Sequence, residues 1–269
     1  MRARRWSSSD EAMRPVFHVA AARLVCVPNA DAPASAASDL SRIAASLVGP
    51  DPLNWVITGD SITHGLVHTQ GGRSYAEHLH ELIRGELART RDAVINTAIS
   101  GHRITDILDD WDRRVASWQP DIVTLMIGTN DMATGPGQVT VEPAAFAASL
   151  REFVSRVRAS GAVPVLQTPP SIDVANAPGR ERIIEFADAV REVAASEDVI
   201  LVDQHARFTE LGNGGVPWGL MGDPFHPNAA GHAALALELA NALDICPPHD
   251  RDRTLPLLEA QVAMARLNA

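Results

Sequence analysis

Ser61, Gly101, Asn130 and the pair Asp223 and His226 are the residues of this chain whose types could do chemistry together. They sit in four short strings: GDSITHG from Gly59, ISG ending at Gly101, GTND from Gly128 and DPFHPN from Asp223. A serine hydroxyl is a poor nucleophile near neutral pH and needs a base to take its proton. Histidine suits that task, with an unperturbed pKa of about 6.5. Its ring works best with a carboxylate on the second nitrogen, which fixes the tautomer and stabilises the cation. Asp223 and His226 flank Pro224 and Phe225, so one tight turn can bring carboxylate to ring. Pro227 stiffens the exit, and Asn228 is predicted to cap a helix over 229–243.

Attack on an ester carbonyl creates an oxyanion that needs donors already in place. Gly101 can offer a backbone N–H that no side chain crowds. Asn130 can add a side-chain NH2, and Ser61 its own amide. Each string alone also has a plain reading. Asp-x-x-His is a turn with a cap, Gly101 a turn glycine, and Asn130 a turn or cap residue. The four together, in this order, favour the chemical reading. Asp60 and Asp131 flank the reacting residues and are read as acceptors of backbone N–H bonds that orient loops; no third ligand at a recognisable spacing marks a metal site. His64, His68, His78, His80 and His102 have no acidic partner at a telling spacing.

These residues must be brought together by the elements between them. Five short runs rich in β-branched residues, 55–58, 93–96, 122–127, 163–167 and 199–202, lack clean alternation, as strands buried on both faces do. Helical spacing fills the gaps. One predicted helix covers 74–90, with Tyr75, Leu79, Leu82, Ile83 and Leu87 on a stripe; others cover 105–118, 143–159 and 180–195. Pro143 suits a first helical turn and Gly161 a helix end. Strand–helix alternation implies parallel units with right-handed crossovers. Sites in such sheets lie beyond the C-terminal strand ends, and Ser61, Gly101 and Asn130 follow the first, second and third strands. Outside this region, the sequence suggests a helix over 36–47, an extra strand near 17–26 and a final helix over 255–267.

The four strings resemble the marker blocks of the SGNH (GDSL) hydrolase family. The resemblance covers roughly residues 54–245 and implies an α/β fold: a three-layer α/β/α sandwich on a flavodoxin-like five-stranded parallel sheet, with no cofactor. Carried over residue by residue, it implies Ser61 as nucleophile with Asp223 and His226 completing the triad. Ser61, Gly101 and Asn130 would form the oxyanion hole. The shallow nucleophile turn differs from a G-x-S-x-G elbow, which is absent around Ser61. The expected organisation is an N-terminal extension (1–53) packed on a hydrolase domain (54–245), followed by a C-terminal helical tail (246–269).

Composition narrows the partners. The 269 residues carry a formal net charge of −10, which argues against nucleic-acid binding. Cys26 and Cys246 form no CxxC pair, and free thiols are favoured over a disulfide. No apolar run reaches membrane-spanning length. The basic start MRARRW is followed by polar and acidic SSSDEAMRP, so no signal peptide is read and a cytoplasmic location is expected.

The expected function is a serine ester hydrolase that passes through an acyl-enzyme. Aromatic residues make up 4% and no long apolar lid is visible, which favours short acyl groups, such as acetyl esters of a carbohydrate or small metabolite. Candidate pocket walls are His64, Arg73, His102, Arg103, Met132, Trp218 and Phe225, with the loop 68–73; Arg73 and Arg103 could hold an acidic substrate. The alternatives are a lysophospholipase- or thioesterase-type hydrolase, an acyltransferase, or a non-catalytic binding protein on the same scaffold. The terminal segments could support a homo-oligomer or dock on the body.

Overall fold

Runs of valine, isoleucine and leucine become interior strands when both faces are covered, and that principle organises this chain. A computed structural model describes residues 35–135, 139–245 and 252–267. The expected strand near 17–26 and the cysteines Cys26 and Cys246 lie outside the described residues. In chain order the elements are α1 (Ala36–Val48), β1 (Asn54–Gly59), α2 (Ser61–His64), α3 (Tyr75–His80) and β2 (Ala93–Asn96), then α4 (Ile104–Asp109), α5 (Trp111–Arg114), β3 (Ile122–Met126), α6 (Pro143–Ala159) and β4 (Val163–Gln167), and finally α7 (Ile183–Ser196), β5 (Ile200–Val202), α8 (Gln204–Leu211), α9 (Ala229–Ala242) and α10 (Thr254–Leu267).

The five strands are all parallel in the order β2-β1-β3-β4-β5. This is the flavodoxin-like order, whose direction reverses between β1 and β3 and opens a crevice there. Alternate strand residues feed two separate cores. Trp55 and Ile57 join the layer built by α1, α3, α9 and α10, while Val56 joins the layer of α4, α6 and α7. Ile122 and Met126 divide from Val123 and Leu125 in the same way. The result is the expected α/β/α sandwich.

Several helices depart from expectation. Ser74 caps α3 through a reciprocal capping box with Glu77. Beyond His80 the helix widens into a π-helical stretch, Glu81–Glu86, where the Leu87 N–H reaches back five residues to Leu82 O at 2.9 Å. The predicted 105–118 helix breaks at Asp110, whose backbone leaves helical geometry (φ −103°, ψ 33°), giving α4, α5 and a 3-10 turn, Ala116–Trp118. The 180–195 helix begins at Ile183, leaving Arg180 in the preceding loop. α8 is not among the predicted helices; it buries Phe208 and Leu211, and the Asp203 carboxylate caps it by accepting from Ala206 N–H at 3.0 Å. α10 lies on its own chain, burying Leu258 and Val262 against the layer that holds α9. Among the described residues no helix is long and apolar enough to cross a membrane.

Candidate active site

The serine block sits where β1 turns into α2. A Cβ on Gly59 would lie 2.2 Å from Met126 O and 2.5 Å from Thr63 Oγ1, so only glycine lets β1 end this close to β3. The Asp60 carboxylate accepts the Ile62 N–H at 3.0 Å and fixes the turn. Ser61 is the first residue of α2, so its N–H is among those the helix leaves without an internal partner. Two residues on, Thr63 Oγ1 shares a hydrogen bond with the buried Tyr75 hydroxyl at 2.9 Å, tying α2 to α3.

The Asp223 loop arrives from the other end of the chain. Ser61 Oγ lies 2.8 Å from His226 Nε2, and His226 Nδ1 lies 2.7 Å from Asp223 Oδ2. Asp223 Oδ1 accepts the N–H groups of Phe225 and His226 at 2.9 and 2.8 Å, so the tight turn holds the carboxylate against the ring. Asn228 secures the loop from behind. Its Oδ1 accepts from Ala230 and Gly231 N–H, and its Nδ2 donates to Gly219 O and Met221 O. Burial pulls the His226 pKa below its ordinary value despite the opposing pull of Asp223, which favours a neutral ring. Burial pushes Asp223 up, but the two backbone donors and the imidazole outweigh it and hold the carboxyl below its ordinary value.

The glycine and asparagine blocks reach the same edge. Gly101 has φ +87°, a conformation that favours glycine, and the side where a Cβ would stand is open. The left-handed turn adds a second reason for glycine to the uncrowded N–H that the sequence suggests. Among the described residues no hydrogen bond claims the Gly101 amide. Asn130 Nδ2 donates to His102 O at 3.1 Å, which leaves its second hydrogen uncommitted and pins the loop that carries Gly101. Asp131 accepts the Ile104 N–H at 2.9 Å, tying that loop to the start of α4. Asp60 and Asp131 thus orient loops, as their positions suggested. Each is buried with one oxygen lacking a hydrogen-bond partner, and burial pushes both carboxyls up to about 7.

Two residues at this centre carried no sequence signal. His68 has no acidic residue at a telling spacing in the sequence, yet its Nδ1 lies 3.3 Å from Asp223 Oδ2. Its ring stacks on His226 with centroids 3.5 Å apart and planes 9° apart. The partners are far apart in sequence, so no local spacing could reveal them. Arg180 lies with its guanidinium carbon 4.0 Å from the centre of the Phe225 ring, and Phe225 itself leans on His226 at 4.3 Å. His68, Asp223 and His226 place ligand-capable atoms within 4.8 Å of one another, so they could close on a metal ion. Both rings already lie close to the same carboxylate oxygen, which makes the arrangement a hydrogen-bonded one first.

The other candidate walls are dispersed. His64 Nδ1 contacts Ser100 Oγ at 3.1 Å and accepts the Ser100 N–H at 3.3 Å, making it a clamp on the Gly101 loop. His102 contributes its carbonyl to Asn130, and burial lowers its ring pKa. Met132 is core, packed in the layer of α6 and α7. Arg73 is exposed and paired with Glu81 at 3.2 Å. Arg103 donates to Val139 O at 2.8 Å. Trp218 lines a separate cavity of about 570 Å³ between the end of α8 and α10, together with Leu211 and Leu267. Phe225 alone of the seven packs directly on the His226 ring.

The sequence profile of the GDSL-like lipase/acylhydrolase family matches residues 57–234. An acetylxylan esterase of Geobacillus stearothermophilus is 28% identical over 192 residues, spanning 66% of this chain and 88% of the relative. The crystal structure of an acetylxylan esterase from the same organism superposes with a TM-score of 0.62 at 25% identity, over 71% of this chain and 94% of the other. An α/β hydrolase from the metagenome of Lake Arreo, Spain, gives 0.61 at 27% identity, over 72% and 95%.

Proposed function

The chain belongs to the GDSL-like lipase/acylhydrolase family and is a carboxylic ester hydrolase, and from that premise we propose that Ser61, His226 and Asp223 carry the reaction through an acyl-enzyme. The observation that carries this reading is the unbroken contact from Ser61 Oγ to His226 Nε2 and from His226 Nδ1 to Asp223. As Ser61 Oγ attacks the ester carbonyl carbon, its proton passes to His226 Nε2. Asp223 stabilises the resulting imidazolium without taking the proton itself. The amides of Ser61 and Gly101 and the free hydrogen of Asn130 face the charge that develops on the carbonyl oxygen. Such donors act at the transition state, and losing one costs on the order of 3 kcal/mol. The carbon–oxygen bond to the alcohol then breaks, and His226 returns its proton to the leaving oxygen. Water repeats the attack on the acyl-enzyme, and the acid departs.

The substrates in this reading are short-acyl esters, acetyl-like, of a carbohydrate or small metabolite. The acetylxylan esterase relative supports the acetyl preference. The test is a graded series of p-nitrophenyl esters with wild type and Ser61→Ala, together with fluorophosphonate labelling. The expected result is a label on Ser61, loss of turnover in the variant and a preference for the shortest chains. Near-full turnover by Ser61→Ala would overturn the nucleophile assignment; a preference for long chains would overturn the substrate class.

A further inference from the structure

We propose that Arg180 is the recognition group for a carboxylate on the substrate, so that the preferred esters are anionic, such as O-acetylated uronic acids. This rests on the esterase reading above and names its substrate class. Arg73 and Arg103, the basic residues expected to hold an acidic substrate, are engaged elsewhere, one with Glu81 and the other with Val139 O. The cation at the centre is Arg180.

Three observations support the assignment. First, the guanidinium makes no hydrogen bond or ion pair with the described residues, and its Nε is buried without a partner. An arginine serving only the fold would spend its five donors on carbonyls or carboxylates, as Arg89 does here with Asp92, Leu47 O, Gly49 O and Asp51 O. Second, its charge acts on Asp60, Asp223 and His226 alike, which places it within the field of the reacting groups. Asp60 makes no hydrogen bond or ion pair with it among the described residues and spends one oxygen on the Ile62 N–H; burial pushes that carboxyl up to about 7, so it offsets the cation only in part near pH 7, and Asp223 is engaged by His226. Third, the side chain is held in place. It lies over Phe225, and its loop is pinned where Thr134 N–H donates to Gly179 O at 3.0 Å. A Cβ on Gly179 would stand 2.2 Å from Thr134 O, so the loop can pass there only as glycine. A fixed guanidinium with no hydrogen-bond partner among the described residues, lying over the ring that leans on His226, suits a planar anion that it can grip through two parallel N–H bonds.

The experiment compares acetate release from acetylated glucuronic acid and acetylated glucose at low salt, for wild type, Arg180→Met and Arg180→Lys. The methionine variant keeps an apolar stem over Phe225 and removes the charge. The expected wild-type kcat/KM is at least about tenfold higher for the uronate, carried mainly by KM. That ratio should fall towards one in Arg180→Met and recover partly in Arg180→Lys. In the wild type, added salt should raise KM for the uronate only. Equal or lower wild-type efficiency on the uronate overturns the proposal, as does a ratio that survives in Arg180→Met. If Arg180→Met fails to fold, the wild-type ratio and its salt dependence still decide. A wild type that releases acetate from neither ester and resists fluorophosphonate overturns the esterase reading along with this one.

Discussion

His68 lies flat on His226, with ring centroids 3.5 Å apart and planes 9° apart, while its Nδ1 stands 3.3 Å from the carboxylate oxygen that also holds His226. The second imidazole therefore restrains the first in two directions. It blocks one face of the ring and competes for Asp223.

Removing that restraint should be visible in rate and in pH dependence. His68→Ala is expected to lower kcat by roughly tenfold to a hundredfold through loss of alignment, with KM for a small ester little changed. Burial lowers the His226 pKa, and the neighbouring His68 lowers it further. The acid limb of kcat/KM should therefore move to higher pH in the variant. A variant with unchanged kcat and an unmoved limb would show that His68 is a bystander.

Asp223 acts on His226 in the opposite sense, since it raises the ring's pKa and fixes its tautomer. Asp223→Asn should reduce turnover by about 10³- to 10⁴-fold, the scale seen when a triad carboxylate is neutralised. Any residual acid limb should move to lower pH. Steady-state kinetics of the two variants across the pH range would read out both directions, and a shift of the same sign in each would contradict the assignment.

Asn130 donates to His102 O, and in the proposed mechanism its second hydrogen serves the oxyanion. Asn130→Ala should lower kcat by about 10²- to 10³-fold for the lost donor, and somewhat more because the Gly101 loop loses its tether. Circular dichroism and Tm should stay near wild type. A variant with wild-type kcat would remove Asn130 from the oxyanion hole.

Acid stability should depend on a histidine outside the reaction. His232 is buried in α9, its Nδ1 accepts the Tyr75 N–H at 3.1 Å, and burial holds its pKa down to about 3. An unfolded chain binds this proton near pH 6.5. Between about pH 6.5 and 3 the unfolded state therefore holds more protons, and stability falls as pH falls. Asp60 and Asp131, raised to about 7, oppose this: their contribution is complete below about pH 3.8 and fades as pH rises through 7. His232→Asn keeps an acceptor for Tyr75 and removes the titration. The wild-type Tm should drop relative to the variant on going from pH 6.5 to 4; a constant difference would mean that His232 is not held neutral.

Much of this protein was legible from short stretches of chain. Val163–Gln167 and Ala93–Asn96 form strands at the bounds their composition suggested, and Pro143 opens α6 as a first-turn proline should. The helix over 105–118 misled because its apolar spacing runs through Asp110, where the backbone turns and the carboxylate takes Arg114 Nε at 2.9 Å. The helix from Ser74 began as expected, but periodicity cannot register the wider winding over Glu81–Glu86.

The sequence by itself determined the residue types for the chemistry, their order after successive strands and the tight Asp223–His226 turn, because these depend on local spacing and on the rule that parallel sheets present their strand ends together. Only the tertiary structure decided that His68 stacks on His226, that Arg180, over Phe225, has no hydrogen-bond partner for its guanidinium among the described residues, and that Met132 is core and Trp218 faces another cavity. Those outcomes depend on which loops the fold packs side by side, and contacts between distant segments leave no periodicity in the chain that makes them.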